Sequence, residues 1–210
     1  MSLSITVFTI GPIENNSFLL VNKQKKIAAI IDPSFGSKQI SDYCEKNQLQ
    51  VTDIFCTHAH FDHIAGLNEI QSKLDPKVKI WLHPDELPLW KSNGGANLFN
   101  FPFEICCQPT DFVSHLQMIP FGDEHLQVRF TPGHTPGHVV YYLESQNLMF
   151  CGDLVFRQSI GRTDLEGGNQ LLLLQSIDLQ IKTLPDPTRL LSGHGPETTV
   201  GYEKKYNPFF

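Results

Sequence analysis

The sequence contains no CxxC pair, no clustered run of lysine and arginine, no low-complexity tract and no exact internal repeat. Each absence removes a class of protein. Five cysteines, Cys44, Cys56, Cys106, Cys107 and Cys151, make an odd set without the spacing of a disulfide frame, which fits reduced thiols in a cytoplasm. A net charge of −6 without a basic stripe argues against nucleic acid as the partner, because phosphate contacts need a clustered basic face. No apolar run is long enough to span a bilayer, and the stretch from Met1 to Phe8 lacks the basic and apolar regions of a signal peptide. A soluble cytoplasmic protein with no membrane partner is expected; its oligomeric state leaves no mark in the pattern.

The chain has 210 residues, 40% hydrophobic and 18% charged, enough apolar material for one sizeable core, so a single domain over residues 1–210 is expected. Short β-rich runs at Ile5–Thr9, Ser17–Val21 and Ile27–Ile31, broken by Gly11-Pro12, Asn15-Asn16 and a polar segment, read as antiparallel strands. Ile40, Tyr43 and Cys44 mark an amphipathic helix over Ser37–Asn47. Val51–Cys56 is the next strand, and Ile64, Leu67, Ile70 and Leu74 predict a helix that Asp75-Pro76 terminates. Further strands are predicted at Val78–Leu82, Leu126–Thr131, Val139–Leu143, Leu148–Cys151 and Arg189–Leu191, with a helix over Gln170–Leu184. Between them, Pro84 to Glu124 shows little periodicity; Phe99, Phe101 and Phe103 there are either walls of a substrate cleft or packing under a loop. Each half runs strand, His-bearing turn, helix, which suits two face-to-face sheets with helices outside.

The densest chemistry lies in Thr57-His58-Ala59-His60-Phe61-Asp62-His63, where three imidazoles and a carboxylate follow an apolar run. A strand that ends in a turn lets His58 and His60 converge on one point while Asp62 and His63, at the following helix start, face a second. Neutral imidazole and carboxylate are ligands of zinc, iron and manganese. Three other turns supply partners: Thr131 to His138 with His134, Gly152-Asp153, and Gly193-His194-Gly195-Pro196. Grouped by position, His58, His60 and His134 bind one ion, Asp62, His63 and His194 the other, and Asp153 bridges them. Three ligands, a bridge and an open position make a catalytic count. His138 is read as support for the ligands, and His83, His115 and His125 as structural or exposed.

These residues closely resemble the metallo-β-lactamase superfamily, whose HxHxDH signature stands here at His58 to His63, with His134, Asp153 and His194 in family order. Thr131 to His138, Gly152 to Phe156, Ser159 to Asp164, His194-Gly195-Pro196 and the ending Thr199 to Phe209 are similar to the small glyoxalase II-type hydrolases. The resemblance implies an α+β, four-layer αβ/βα sandwich and a centre of two divalent ions, zinc first, with iron and manganese as alternatives. It implies hydrolysis of S-D-lactoylglutathione, or a similar acyl thiol, to hydroxy acid and free thiol by a metal-bridging hydroxide that Asp62 orients. Two cations lower the pKa of a shared water to about 7, and a thiol of pKa about 8.5 leaves without a general acid.

Longer glyoxalase II proteins carry a helical domain that holds the glutathione carboxylates, whereas this chain stops soon after His194. Arg162 stands where those enzymes carry a glutathione-contacting lysine, so it is either an anchor for an anionic substrate or the partner of Asp164. Lys204 and Lys205 read as a solvated terminus. The rival readings are a mononuclear-iron persulfide dioxygenase, a lactonase and a metal-binding protein without catalysis.

Overall fold

A computed structural model describes residues 3–210 and divides the chain into two compact units, Met1–Phe112 and Val113–Phe210. The first opens with β1 (Ser4–Ile10), β2 (Asn15–Asn22) and β3 (Ile27–Ile31), joined antiparallel as the turn residues predict. Helix α1 (Lys38–Lys46) then crosses to β4 (Gln50–Phe55), which pairs parallel to β3. Two single turns, α2 (Phe61–Ile64) and α3 (Leu67–Ile70), lead to β5 (Lys79–Leu82); α4 (Leu87–Lys91) precedes β6 (Asp111–Phe112), and both strands continue the parallel run. Among the described residues the sheet has six strands in the order β1-β2-β3-β4-β5-β6. The core of this unit packs Leu19, Ile30, Ile54 and Leu82 against Ile40 and Cys44 of α1 and Ile64 of α2.

The helix predicted from Ile64 to Leu74 is broken. Gly66 donates its N–H to Pro33 O at 2.9 Å, and a Cβ there would lie 2.1 Å from Ser34 O. The backbones touch, so the periodic apolar positions are divided between two short helices and a 3₁₀ turn, Gln71–Lys73, in place of one continuous rod.

The second unit begins with β7 (Met118–Phe121), β8 (Glu124–Phe130), β9 (Val139–Leu143) and β10 (Leu148–Gly152), each antiparallel to the one before. A small hairpin, β11 (Val155–Phe156) and β12 (Ser159–Ile160), precedes α5 (Gln170–Gln180) and β13 (Arg189–Ser192), which lies parallel to β10. The edge strand β14 (Thr198–Thr199) and helix α6 (Val200–Tyr206) follow. The order is β14-β13-β10-β9-β8-β7, six strands among the described residues. Leu173 and Ile177 of α5 pack on Val140, Met149 and Leu190.

Strand direction positions the chemistry in each unit. The carboxyl ends of β3, β4 and β5 lie on one edge of the first sheet, and Asp32, Thr57 to His63 and Glu86 follow those ends. In the second, β8, β10 and β13 share a direction, so the residues after them, Thr131 to His138, Asp153 and His194, gather at one edge. Polar groups collect at such edges because strand carbonyls and loop amides there are not consumed by the ladder. Among the described residues no helix is long and apolar enough to cross a membrane.

Candidate metal centre

In the first unit, the chain leaves β4 at Phe55, and the Cys56 N–H is held by Trp81 O at 3.0 Å. Thr57 to His63 is then buried throughout, with His58 and His63 fully enclosed. The His58 ring lies 4.9 Å from that of His60 and 4.2 Å from that of His63, centroid to centroid. Asp62 Oδ2 stands 3.5 Å from His63 Nε2. Donor atoms that share one tetrahedral ion at 2.0–2.1 Å lie roughly 3.3 Å apart, so this spacing suits a common cation.

Asp32 fixes the tautomers. Its Oδ1 accepts the Thr57 N–H at 2.7 Å, and its Oδ2 accepts the Thr57 hydroxyl at 2.7 Å and His63 Nδ1 at 3.1 Å. A hydroxyl has one proton, and that of Thr57 goes to the carboxylate. Towards His58 Nδ1, 2.9 Å away, the Thr57 oxygen therefore accepts and the ring donates. Both imidazoles carry their lone pair at Nε2, the donor that a metal takes. Asp32 lies within 4.8 Å of the His58 and His63 donors, and its oxygens, engaged in these bonds, orient both imidazoles. Asn15 at the start of β2 acts likewise, donating Nδ2 to Asp62 Oδ2 at 2.8 Å. The fully buried Glu86 accepts the Ala59 N–H at 2.7 Å, between His58 and His60.

In the second unit, the turn after β8 is closed by Thr131 N–H to His138 O at 2.9 Å and Gly133 N–H to Thr135 O at 3.0 Å. His134 Nδ1 donates to Arg162 O at 2.8 Å, which again leaves the lone pair at Nε2. That Nε2 lies 3.6 Å from Asp153 Oδ2, and His194 Nε2 lies 3.8 Å from the same oxygen. One carboxylate oxygen thus faces two imidazoles from different strand ends. Gly161 permits this proximity: a Cβ there would fall 1.8 Å from Asp153 O. Gly193 N–H to Gly152 O at 2.8 Å ties the ends of β10 and β13 together.

His138 is a support, as its sequence context predicts. Its Nε2 accepts the Asp153 N–H at 3.2 Å, so its proton sits on Nδ1 and is donated to Thr131 Oγ1 at 2.9 Å. His83 Nδ1 accepts the Asp85 N–H and His115 Nδ1 that of Phe130, while His125 is exposed. Arg162 forms a two-point pair with Asp164, 2.7 Å at each contact, and the guanidinium holds the Asp164 carboxyl down at about 2. Lys204 reaches Asp186 at 2.7 Å. Of the excursion's aromatics, Phe101 and Phe103 pack on Phe35, whereas Phe99 is half exposed beside Phe61.

Asp32, Asn15 and Glu86 escape a reading of the sequence because each meets its partner from 25 to 47 residues away along the chain.

Buried imidazoles and carboxylates at strand ends, with their far atoms already held by the protein, are the donor set of a metal-dependent enzyme with candidate sites for one or two divalent ions. The chain belongs to the Metallo-beta-lactamase superfamily, which it matches over residues 10–194, and its α+β architecture is the fold of that superfamily. It is 40% identical to the probable metallo-hydrolase YqgX of Bacillus subtilis over 95% of this chain and 94% of that protein. It is 28% identical to the hydroxyacylglutathione hydrolase GloC of Haemophilus influenzae over 99% and 98%. Among solved structures it is similar to BLEG-1, a B3 metallo-beta-lactamase (36% identity, TM-score 0.91, covering 98% of this chain and 99% of that one). It is also similar to TTHA1623 in a di-iron-bound form (33%, TM-score 0.88, covering 98% and 100%).

Proposed function

We propose that this chain hydrolyses a small thioester, S-D-lactoylglutathione or a similar acyl thiol, at a centre of two divalent ions. The observation that carries the reading is Asp153 Oδ2, 3.6 and 3.8 Å from the Nε2 atoms of His134 and His194, the placement a bridging carboxylate requires. His58, His60 and His134 would hold one ion, Asp62, His63 and His194 the second. Support comes from the fixed Nε2 lone pairs of His58, His63 and His134, and from likeness to a hydroxyacylglutathione hydrolase and a di-iron protein. Zinc is the first choice, with iron and manganese as alternatives that the same N and O ligands accept.

When bound, such ions acidify water and withdraw charge from a carbonyl. The remaining work falls to the chain. Asn15 holds one oxygen of Asp62, so the carboxylate keeps a fixed orientation from which it would orient the attacking hydroxide. His138 fixes the backbone at Asp153. A thioester suits this equipment, because a thiol of pKa about 8.5 departs as thiolate at little cost, whereas an amine leaving group needs a proton donor. Arg162 is the anchor for an anionic substrate; to serve, it exchanges the Asp164 carboxylate for that of the substrate. The match across both units supports their reading as one domain over residues 1–210, and five free thiols suit a cytoplasmic location.

The test is hydrolysis of S-D-lactoylglutathione by protein reconstituted separately with zinc, manganese and iron, with the Asp153→Ala protein as blank. Metal-dependent turnover abolished by the substitution is expected. Turnover of a β-lactam or lactone in its place, the reading that the likeness to BLEG-1 favours, overturns the thioester assignment. So does oxygen uptake with glutathione persulfide.

A further inference from the structure

The segment that follows β5 does not simply bridge two strands: it grips the ligand-bearing loop of the first unit at three points. Glu86, fully buried, accepts the Ala59 N–H through Oε2 at 2.7 Å. Gly94, at φ +62°, brings its backbone so close that a Cβ would lie 2.3 Å from Phe61 N and 2.7 Å from Ala59 O. Phe99 and Phe101 then close on the Phe61 ring at 5.6 and 5.5 Å between centroids. The segment has its own anchors away from that loop. Trp90 donates Nε1 to Cys107 O at 3.0 Å, and Asn68 holds Glu104 O at 2.7 Å and the Cys106 N–H at 3.0 Å.

A buried carboxylate is costly, and a backbone carbonyl would satisfy one amide more cheaply. Its use here has a geometric reason. Ala59 separates His58 from His60 on a stretch that has left the β4 ladder, so its N–H has no strand partner. The Glu86 side chain is long enough to bring an acceptor to that N–H from the segment after β5, and a short, well-placed acceptor defines the direction of the amide. The peptide planes on either side set where both Cβ atoms point. We infer that Glu86 is a positioning residue for metal binding: with Gly94 it clamps the His58-Ala59-His60 turn so that the two imidazoles converge before any ion arrives.

This inference rests on the reading of His58 and His60 as ligands, and its test separates the two. Zinc affinity is measured by competition with a chromophoric chelator, on folded protein well below its melting temperature. Glu86→Ala and Glu86→Asp, the latter keeping the charge but losing the reach, are expected to bind zinc at least about tenfold more weakly, in the range typical of lost outer-shell partners. Glu86→Gln keeps an acceptor at the same distance and is expected within about threefold of the unsubstituted protein. Asn68→Ala, which loosens the same segment without touching the ligand loop, is expected to lower the melting temperature of the metal-free protein and leave zinc affinity unchanged. The clamp is overturned if Glu86→Ala and Glu86→Asp bind zinc normally, if Glu86→Asp is normal and Glu86→Gln weak, or if Asn68→Ala weakens zinc equally. Failure of the unsubstituted protein to bind zinc defeats the proposed function itself.

Discussion

Asp153 directs a single oxygen towards His134 and His194, which come from two different strand ends. Asp153→Ala should therefore remove at least one metal per chain, measured by elemental analysis, and lower turnover more than about 100-fold, beyond the 10- to 100-fold typical of outer-shell losses. Retention of two metals with activity would refute the bridge. Arg162 behaves differently. Its pair with Asp164 is exposed, and such pairs contribute little to stability, so Arg162→Ala should fold normally. Loss of a charge-assisted contact to an anionic substrate should raise KM roughly tenfold, since about 1.4 kcal/mol is a factor of ten, with kcat little changed. An unaltered KM in steady-state assays leaves Arg162 as a loop partner only. The candidate ligands could be picked out in the sequence because their spacing is local and their turns carry glycine and proline. Asp32, Asn15 and Glu86 could not, since nothing near a lone carboxylate or amide in the chain says which distant amide or ring it will meet.

Strands and long helices followed their patterns closely; Val139–Leu143 and Ile27–Ile31 coincide with the predicted runs, and α1 and α5 stop one to four residues early. Short elements did not declare themselves. Helix α4, the hairpin β11–β12 and helix α6 are too brief for periodicity to mark, and tertiary contacts hold them. Glu203 shows how. Buried on α6, it accepts the Gln158 N–H at 2.8 Å, Asn207 Nδ2 at 2.8 Å and the Thr198 hydroxyl, while Asn207 Nδ2 also reaches Ser159 O at 3.0 Å. The hairpin so fastened runs directly into Gly161 and Arg162, whose carbonyl orients His134. Glu203→Ala strands several buried donors at about 1–3 kcal/mol each. Taking even 2 kcal/mol, the melting temperature should fall by at least about 4 °C in a chain of this size. Thermal denaturation with no shift would show that α6 does not depend on this carboxylate.

Stability of the molecule as a whole should weaken in alkali. Burial raises the Cys44 thiol to about 11 and the Cys107 thiol to about 12, and raises those of Cys56 and Cys151 as well. A thiol whose folded-state pKa exceeds the unfolded value of 9.0 contributes stability that is complete below about pH 9 and is lost as pH rises towards the folded value. Between pH 9 and 11 the urea midpoint should fall, and Cys44→Ala should flatten that decline while leaving the curve below pH 9 parallel; an unchanged slope would remove Cys44 from the account. At the ligand edge of the first unit, Asp32 has a broader consequence. Through Thr57 it sets the tautomer of His58, and directly that of His63, residues proposed to hold different ions. On the proposed two-ion assignment, loading of either ion would draw on the same carboxylate, so the two occupancies would be coupled free energies, and by reciprocity whichever cation entered first would alter the dissociation constant of the second by the factor that the second returned to it.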